Sequence, residues 1–327
     1  MLFAYDETAL QTTPQFRPSG ERFPARRACP AVGEVLRDPE GRPAALIAIE
    51  NGAHRMAIED YISRKRARRF AIALIVLLPA LYFAPWVTLF YLACGALDIS
   101  RHFKVTPDMA EKYFLGNGIP TWLLSPINLL ADMLSARNLG TYRLEDLPEG
   151  HRAEIEACVK AFVENGDQIK ARVGEVLGDK KRGMLTFKWF ARQQDITVRI
   201  PAFEQDYRYI KTIAVSVFNT REKTSWHFGP LRLTFRVLYN LDPIDSDNVF
   251  INVDDKTHFW NQQPLFVFDD TLFHRSVNDV DQARYCLFMD IVRPNHLQPV
   301  FDAAIAGAAV IAASFKTIFY KNWSFIR

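Results

Sequence analysis

The chain has 327 residues, 49% of them hydrophobic, and a formal net charge of +3. That length holds one substantial domain with appendages, and so small a net charge leaves no electrostatic footprint for nucleic acid. Its four cysteines, Cys29, Cys94, Cys158 and Cys286, show no C-x-x-C spacing, which excludes a zinc ribbon or a disulfide framework and fits a reducing compartment.

In chain order, residues 1–55 read as an unstructured leader. Pro14, Pro18, Pro24, Pro30 and Pro43 interrupt it, no apolar period persists, and it cannot bury enough surface to offset the entropy of ordering. Its arginines suit a targeting peptide, yet Asp6, Glu21, Glu34 and Glu40 are acids that such peptides avoid; a start at Met56 is the other reading. Residues 56–100 place a basic cluster, Arg64, Lys65, Arg66, Arg68 and Arg69, ahead of 28 charge-free residues, 70–97. That run exceeds the ~20 residues of a membrane span. The basic cluster predicts a cytoplasmic N-terminal flank. Pro79 and Pro85 can break the run into two arms that enter and leave the membrane on one face, so a hairpin is expected there.

Residues 101–180 read as an interfacial and helical linker region. In YFLGNGIPTWLLSPINLLADMLSARN, Tyr113 and Trp122 flank a leucine-rich run broken by Pro120 and Pro126, a pattern that suits an interfacial helix or a segment packed into a core. Ile155, Val159, Phe162 and Val163 recur at helical spacing, which predicts one or two helices across 142–178. Residues 183–198 form an aromatic-rich β approach. Then 212–218, 231–241, 248–253, 264–269 and 284–291 alternate or run apolar between Pro, Asp and Asn turns. Strands so short and so regularly spaced predict a double-sheet jelly roll over 181–295, in a mainly β chain with flanking helices and an N-terminal membrane segment. In 296–327 the 13 uncharged residues 303–315 are too few to cross a bilayer, so a membrane-surface helix is expected; a helix packed on the jelly roll is the alternative.

His227 and His274 stand at the ends of apolar strands, and Arg284 lies ten residues beyond the second. Two neutral imidazoles suit a ferrous ion, and a guanidinium fork suits a carboxylate, although each residue alone is equally explained as a satisfied core or edge side chain. Asp269 and Asp270 precede His274 in FVFDDTLFH. They fit either an acid orienting the imidazole through its far N–H or a turn pair closing a strand.

Taken together, WHFGP from Trp226, a strand bearing an arginine, a Pro turn, VFDDTLFH and RYCLFMDIVRP resemble the aspartyl/asparaginyl β-hydroxylase family of Fe(II)/2-oxoglutarate oxygenases, over the last third to half of the chain. The family's fold is a double-stranded β-helix. The resemblance implies that His227 and His274 bind Fe(II) and that Arg284 holds the distal carboxylate of 2-oxoglutarate. It further implies that Ser216 offers that carboxylate a hydroxyl and that Arg236 meets the co-substrate or substrate; the competing readings are a Ser216 that alternates outward and a solvated Arg236. Two positions depart from the pattern. Gly229 stands where a facial-triad acid would fall, as in the protein-hydroxylating members, and Leu238 stands where the family has a histidine. LLSPINLLADMLS also resembles the segment ahead of the catalytic domain in bacterial lipid A 2-hydroxylases. The implied activity is hydroxylation of an unactivated C–H bond with O2, Fe(II) and 2-oxoglutarate. The expected substrate is an acyl chain of a membrane lipid, lipid A or an aminolipid, at an inner membrane of bacterial type with the catalytic domain facing the cytoplasm. A protein aspartyl/asparaginyl β-hydroxylase and an inactive protein with a vestigial jelly roll are the alternatives. No nucleic-acid partner is expected, and the sequence does not specify an oligomeric state.

Overall fold

The computed structural model describes residues 44–178, 180–319 and 323–326. The chain divides into two compact units, 1–66 and 67–327. The expected leader lies, for residues 1–43, outside the described residues. Residues 44–55 are helical rather than unstructured, as the start of α1 (Ala44–Phe83). The physical reason is that Pro43 is the last proline of the leader, and the sequence after it is rich in Ala, Ile, Glu and Arg, which tolerate a helix well.

Helix α1 runs through Pro79 without a break and ends at Phe83. At Ala84 the backbone leaves helical geometry (φ −141°, ψ 57°), and α2 (Pro85–Ser100) begins with a proline whose fixed φ and missing N–H suit a helix start. Of the two prolines expected to divide the apolar run, only Pro85 does so. The run therefore splits between two helices, and among the described residues no helix is long and apolar enough to cross a membrane. A transmembrane helix in the expected N-terminal membrane segment is thus not found among the described residues, and the break in the run falls at Ala84.

Three short helices follow: α3 (Pro107–Leu115), α4 (Ile119–Leu123) and α5 (Ser125–Met133). Thr106 caps α3 by accepting a 3.2 Å hydrogen bond from the Met109 amide, with Pro107 at the first helical position. Met109, Tyr113, Thr121, Ser125, Asn128 and Ala131 are buried, so one face of this expected interfacial segment packs into the protein. The opposite face leaves Leu123, Ile127, Leu130 and Met133 exposed.

The remaining elements are β1 (Thr141–Tyr142), α6 (Glu149–Glu164), α7 (Gly166–Leu177), β2 (Arg182–Trp189), β3 (Arg192–Gln193), α8 (Pro201–Glu204), β4 (Ile210–Phe218), β5 (Glu222–Lys223), β6 (Thr234–Asn240), β7 (Val249–Val253), β8 (Lys256–Phe259), β9 (Leu265–Phe268), β10 (His274–Asn278), β11 (Arg284–Val292), α9 (Gln298–Phe319) and β12 (Ser324–Ile326). The larger sheet has the order β1-β9-β6-β11-β4-β2-β12, with β3 paired to β2, and the smaller one the order β5-β10-β7-β8. All pairings are antiparallel except β12 with β2.

Alternation along the central strands divides the interior in two. On β6, Phe235 and Val237 face the outer layer, where Ile155, Phe162, Ile169 and Val173 of α6 and α7 cover the larger sheet. Leu238 faces the other way with Cys286 and Phe288, against Val249, Ile251 and Val253 of β7. Each such fully buried aliphatic side chain contributes about 1.5–3 kcal/mol. The first half of α9 packs Phe301 and Ile305 onto Leu231, Leu233 and Val292, as the packed-helix alternative has it, while Leu297, Val300 and Val310 are exposed.

Candidate active site

The site lies between the two sheets, at the end where β10 begins. His274 is the first residue of β10, and His227 lies in the connection from β5 to β6. The two residues form an isolated antiparallel bridge, with each amide donating to the other's carbonyl at 2.9 Å. This backbone exchange brings the imidazole centroids to 4.1 Å, with the planes at 50°. The rings of the two predicted histidines thus meet.

Their tautomers follow from their partners. The Nδ1 of His227 lies 2.8 Å from the Ser225 carbonyl and that of His274 lies 2.7 Å from the Leu272 carbonyl. A carbonyl oxygen only accepts, so both Nδ1 atoms carry the proton and both Nε2 atoms present a lone pair. Burial lowers His227 to about 4, helped by the nearby Arg236 and Arg182 charges, and lowers His274 well below the usual range. Both rings are therefore neutral near pH 7, the form that binds a metal. The orienting groups are backbone carbonyls, so neither Asp269 nor Asp270 holds an imidazole, contrary to one reading of the DD pair.

Asp270 has a different place. Its carboxyl fills the space that a side chain at residue 229 would need: a Cβ built on Gly229 collides with it. The Gly229 amide donates to the Asp270 carbonyl at 2.7 Å, which fixes the two backbones together. Burial pushes the Asp270 carboxyl up to about 7, against the opposing charge of Arg236, with Asp290 and Asp269 adding to the rise. Arg236 donates to Asp270 and to Asp290, at 2.7 Å each, and lies 3.8 Å over the Phe288 ring. It is neither solvated nor directed only at a co-substrate; it clamps two carboxylates. Among the described residues no three His, Cys, Asp or Glu side chains converge as a metal-binding group, so the histidines form a two-residue set.

A carboxylate introduced at residue 229 meets one already there. Gly229→Asp alone is expected to lower Fe(II) affinity at least ~10-fold, because two buried carboxyl groups and a Cβ compete for one space. Gly229→Asp combined with Asp270→Gly keeps one acid in that space and should recover the loss, as read by anaerobic metal titration and thermal melting. A single Gly229→Asp variant that binds iron more tightly than the parent chain overturns this account.

Arg284 opens β11 and is 1% exposed. Its Nη2 donates to the Ser276 hydroxyl at 2.8 Å, while its Nε and Nη1 have no partner. Its guanidinium carbon lies 4.7 Å from the Phe218 ring and 5.0 Å from that of Trp260, and the Trp260 indole N–H is itself buried and unpaired. A cation enclosed by aromatic rings with two spare donors and no carboxylate beside it is costly. It is the environment that a dicarboxylate ligand would complete. Ser216 shares this inner face: it stands opposite Cys286 on β11, is buried, and its hydroxyl lies 3.3 Å from the Cys286 carbonyl. Leu238, the other departure, is buried in the apolar cluster between the sheets.

Sequence reasoning missed Trp260, Ser276 and a buried ionic knot beside the site. Arg232, fully buried, donates to Asp132 at 2.5 Å, to the Thr271 hydroxyl at 3.1 Å and to Asp98, and lies 3.4 Å from Asp269. Arg101 adds a 2.8 Å bond to Asp269. Burial alone would raise the Asp269 carboxyl, but Arg101 and Arg232, with hydrogen bonds from Thr271 and Asn138, hold it well below the usual range. The available signal was the sequence alternation of Leu231, Leu233 and Phe235 with Arg232, which lies in the turn before β6, and Arg236, which lies on it.

Two sheets, antiparallel except for β12 with β2, thus enclose a pair of imidazoles. Residues 187–294 match the model of the family described as Aspartyl/Asparaginyl beta-hydroxylase, the family that the motifs of this stretch resemble. Over 86 residues the chain is 30% identical to an ornithine lipid ester-linked acyl 2-hydroxylase of Rhizobium tropici, across 26% of this chain and 31% of that protein. The chain thus spans about a third of the length of that curated relative. Among solved structures, it is similar to a 2OG-Fe(II) oxygenase-family oxidoreductase from Burkholderia pseudomallei (11% identity, 38% of this chain and 79% of that one, TM-score 0.26). It is also similar to AviO1 from Streptomyces viridochromogenes Tue57 (12% identity, 52% and 95%, TM-score 0.29).

Proposed function

We propose that the chain is an Fe(II)/2-oxoglutarate-dependent hydroxylase of a membrane lipid acyl chain, built on a double-stranded β-helix. The observation that carries this reading is the pairing of two neutral imidazoles, each with a free Nε2, with a buried guanidinium that keeps two donors unpaired. The donor set fits both groups: His227 and His274 would hold the iron, and Arg284, with Ser276, Ser216 and Trp260 around it, would hold the distal carboxylate of the keto-diacid. Once bound, iron and co-substrate supply the oxidising power for C–H hydroxylation. The protein's own part is positional. The carbonyls of Ser225 and Leu272 fix the rings, Asp270 and Arg236 wall the side where a third ligand would stand, and the aromatic ring pairs exclude water from the cation.

A lipid is favoured over a peptide by the surroundings. A cleft of about 340 Å³ is lined by Phe103, Met109, Trp226 and Phe273, the last two being the chain neighbours of the histidines, with Lys104, Asp108, Asp254 and Asp255 as its charged groups. Apolar lining under a charged rim suits an amphiphile. The apolar run ends at Leu97, and Asp98 and Arg101 directly after it are bound to Arg232 and Asp269 of the site. That short tether favours oxidation near the headgroup end of an acyl chain, as in the 2-hydroxylation named for the Rhizobium relative. The proposed location is the cytoplasmic face of a bacterial-type inner membrane. Gly229 favours the second reading, an aspartyl/asparaginyl hydroxylase of proteins.

Purified chain incubated with Fe(II), 2-oxoglutarate and either total lipid extract or an aspartate/asparagine peptide library decides between them. Succinate release with one added oxygen on a lipid is the expected result. Oxygen added to peptides selects the second reading, and neither iron uptake nor succinate release would leave an inactive protein. Arg284→Met is expected to keep Fe(II) binding and to raise the 2-oxoglutarate requirement ~10–100-fold, the worth of a charged hydrogen-bond pair. An unchanged requirement would place the diacid elsewhere.

A further inference from the structure

The charge-free run leaves the folded body and comes back to it at one helix. Arg69, just before the run, makes a 3.1 Å ion pair with Glu111. Asp98, just after it, accepts a 2.6 Å hydrogen bond from the Tyr113 hydroxyl. Glu111 and Tyr113 stand two residues apart on α3. The arms 70–83 and 85–97 therefore form a V with both feet on α3 and its apex at the break in Ala84. Near the feet α2 is packed, with Cys94, Gly95, Asp98 and Ile99 buried and the Tyr91 carbonyl accepting from the Trp122 indole at 2.8 Å. At the apex nothing covers it: Tyr82, Phe83 and Trp86 are 81–83% exposed.

We infer that residues 70–97 are a monotopic hairpin that dips into one leaflet of an anionic bilayer, leaving both flanks and the catalytic unit on the same side. Three observations select lipid over a second copy of the chain. The run has no charge across 28 residues, and the arginine and lysine cluster at 64–69 that precedes it complements anionic headgroups. An arm of 14 residues is about 21 Å long, enough to pass the middle of a ~30 Å hydrocarbon core but not to cross it. Beside the V, α4 and α5, which pack on α2, expose Leu123, Ile127, Leu130 and Met133 as a second apolar surface for the bilayer.

The inference does not depend on the hydroxylase reading, because its test reads position and not turnover. The full-length chain, tagged at both ends, is added to phosphatidylcholine vesicles with and without phosphatidylglycerol, floated, and treated with external protease. Flotation that grows with phosphatidylglycerol, and loss of both tags to the protease, are the expected results. The triple variant Tyr82→Asp, Phe83→Asp, Trp86→Asp should float roughly 100-fold less, since each buried charge is strongly disfavoured in a membrane interior. Its melting temperature should not change, because the feet are untouched. Protection of one tag, flotation indifferent to the triple substitution, or a dimer that the substitution converts to monomer each overturns the hairpin.

Discussion

Replacing His274 with alanine is expected to abolish Fe(II) binding and to cut succinate release more than ~100-fold. Loss of a group that merely orients a ligand costs 10–100-fold, and His274 is proposed as one of only two ligands, so its removal must cost more. The fold should survive, because residue 274 is held to residue 227 by two main-chain hydrogen bonds of 2.9 Å that alanine retains. His227→Ala should behave alike, and the double variant should be no worse than either single one, since a pair that acts as a unit is not additive. His151→Ala is the control. That ring is buried too, stacked 3.8 Å from Tyr209 and 3.0 Å from the Val292 carbonyl, but it stands apart from the site and should leave iron binding intact. Anaerobic calorimetry with Fe(II), succinate assay and circular dichroism read the three quantities. Undiminished metal affinity in His274→Ala removes this residue from the centre.

What the sequence made legible was what period and motif express. The β4, β6, β7, β9 and β11 strands fall within two or three residues of the alternating runs, because one face of each is packed against a core and the hydrophobic pattern is enforced residue by residue. The histidine pair was legible because both residues fall in spaced motifs, although only His274 opens a strand and His227 lies in the connection from β5 to β6. Hidden from the sequence was everything that depends on pairs distant along the chain. Arg236 read as a residue for the co-substrate or substrate, and nothing in the motif showed that it also pairs with Asp270 and Asp290, 34 and 54 residues away. Trp260 reads as one more aromatic until its indole N–H is seen unpaired beside Arg284. Pro79 and Pro85 looked equivalent, yet a helix tolerates a proline where neighbouring backbone bonds persist, and only the chain at Ala84 turns.

The Arg232 knot carries the largest expected effect on stability. Arg232→Met should cost about 3–5 kcal/mol and lower Tm by about 10 °C, because it strands two carboxylates, Asp98 and Asp269, that are 1% and 0% exposed. Arg101 remains 2.8 Å from Asp269 and 3.8 Å from Asp98, so the lower part of that range is expected. Pairing the change with Asp98→Leu should recover part of the loss, since an apolar group of similar size replaces a charge without a partner. The acid limb moves as well. The Asp269 carboxyl is held below its usual 3.8, so it contributes stability that is complete above that pH and is lost as the pH falls from there toward its depressed folded value. Without Arg232 one of its two cations is gone, its folded value rises, and acid unfolding should begin at higher pH than in the parent chain. Urea titrations at pH 7 and a pH series from 6 to 2 by circular dichroism measure both. An Arg232→Met variant as stable as the parent would mean that the ion pairs joining α2, α5 and the Asp269–Asp270 turn only repay their own desolvation, and that the apolar contacts of Ile99, Tyr113, Phe228 and Phe273 hold the hairpin's foot to the site.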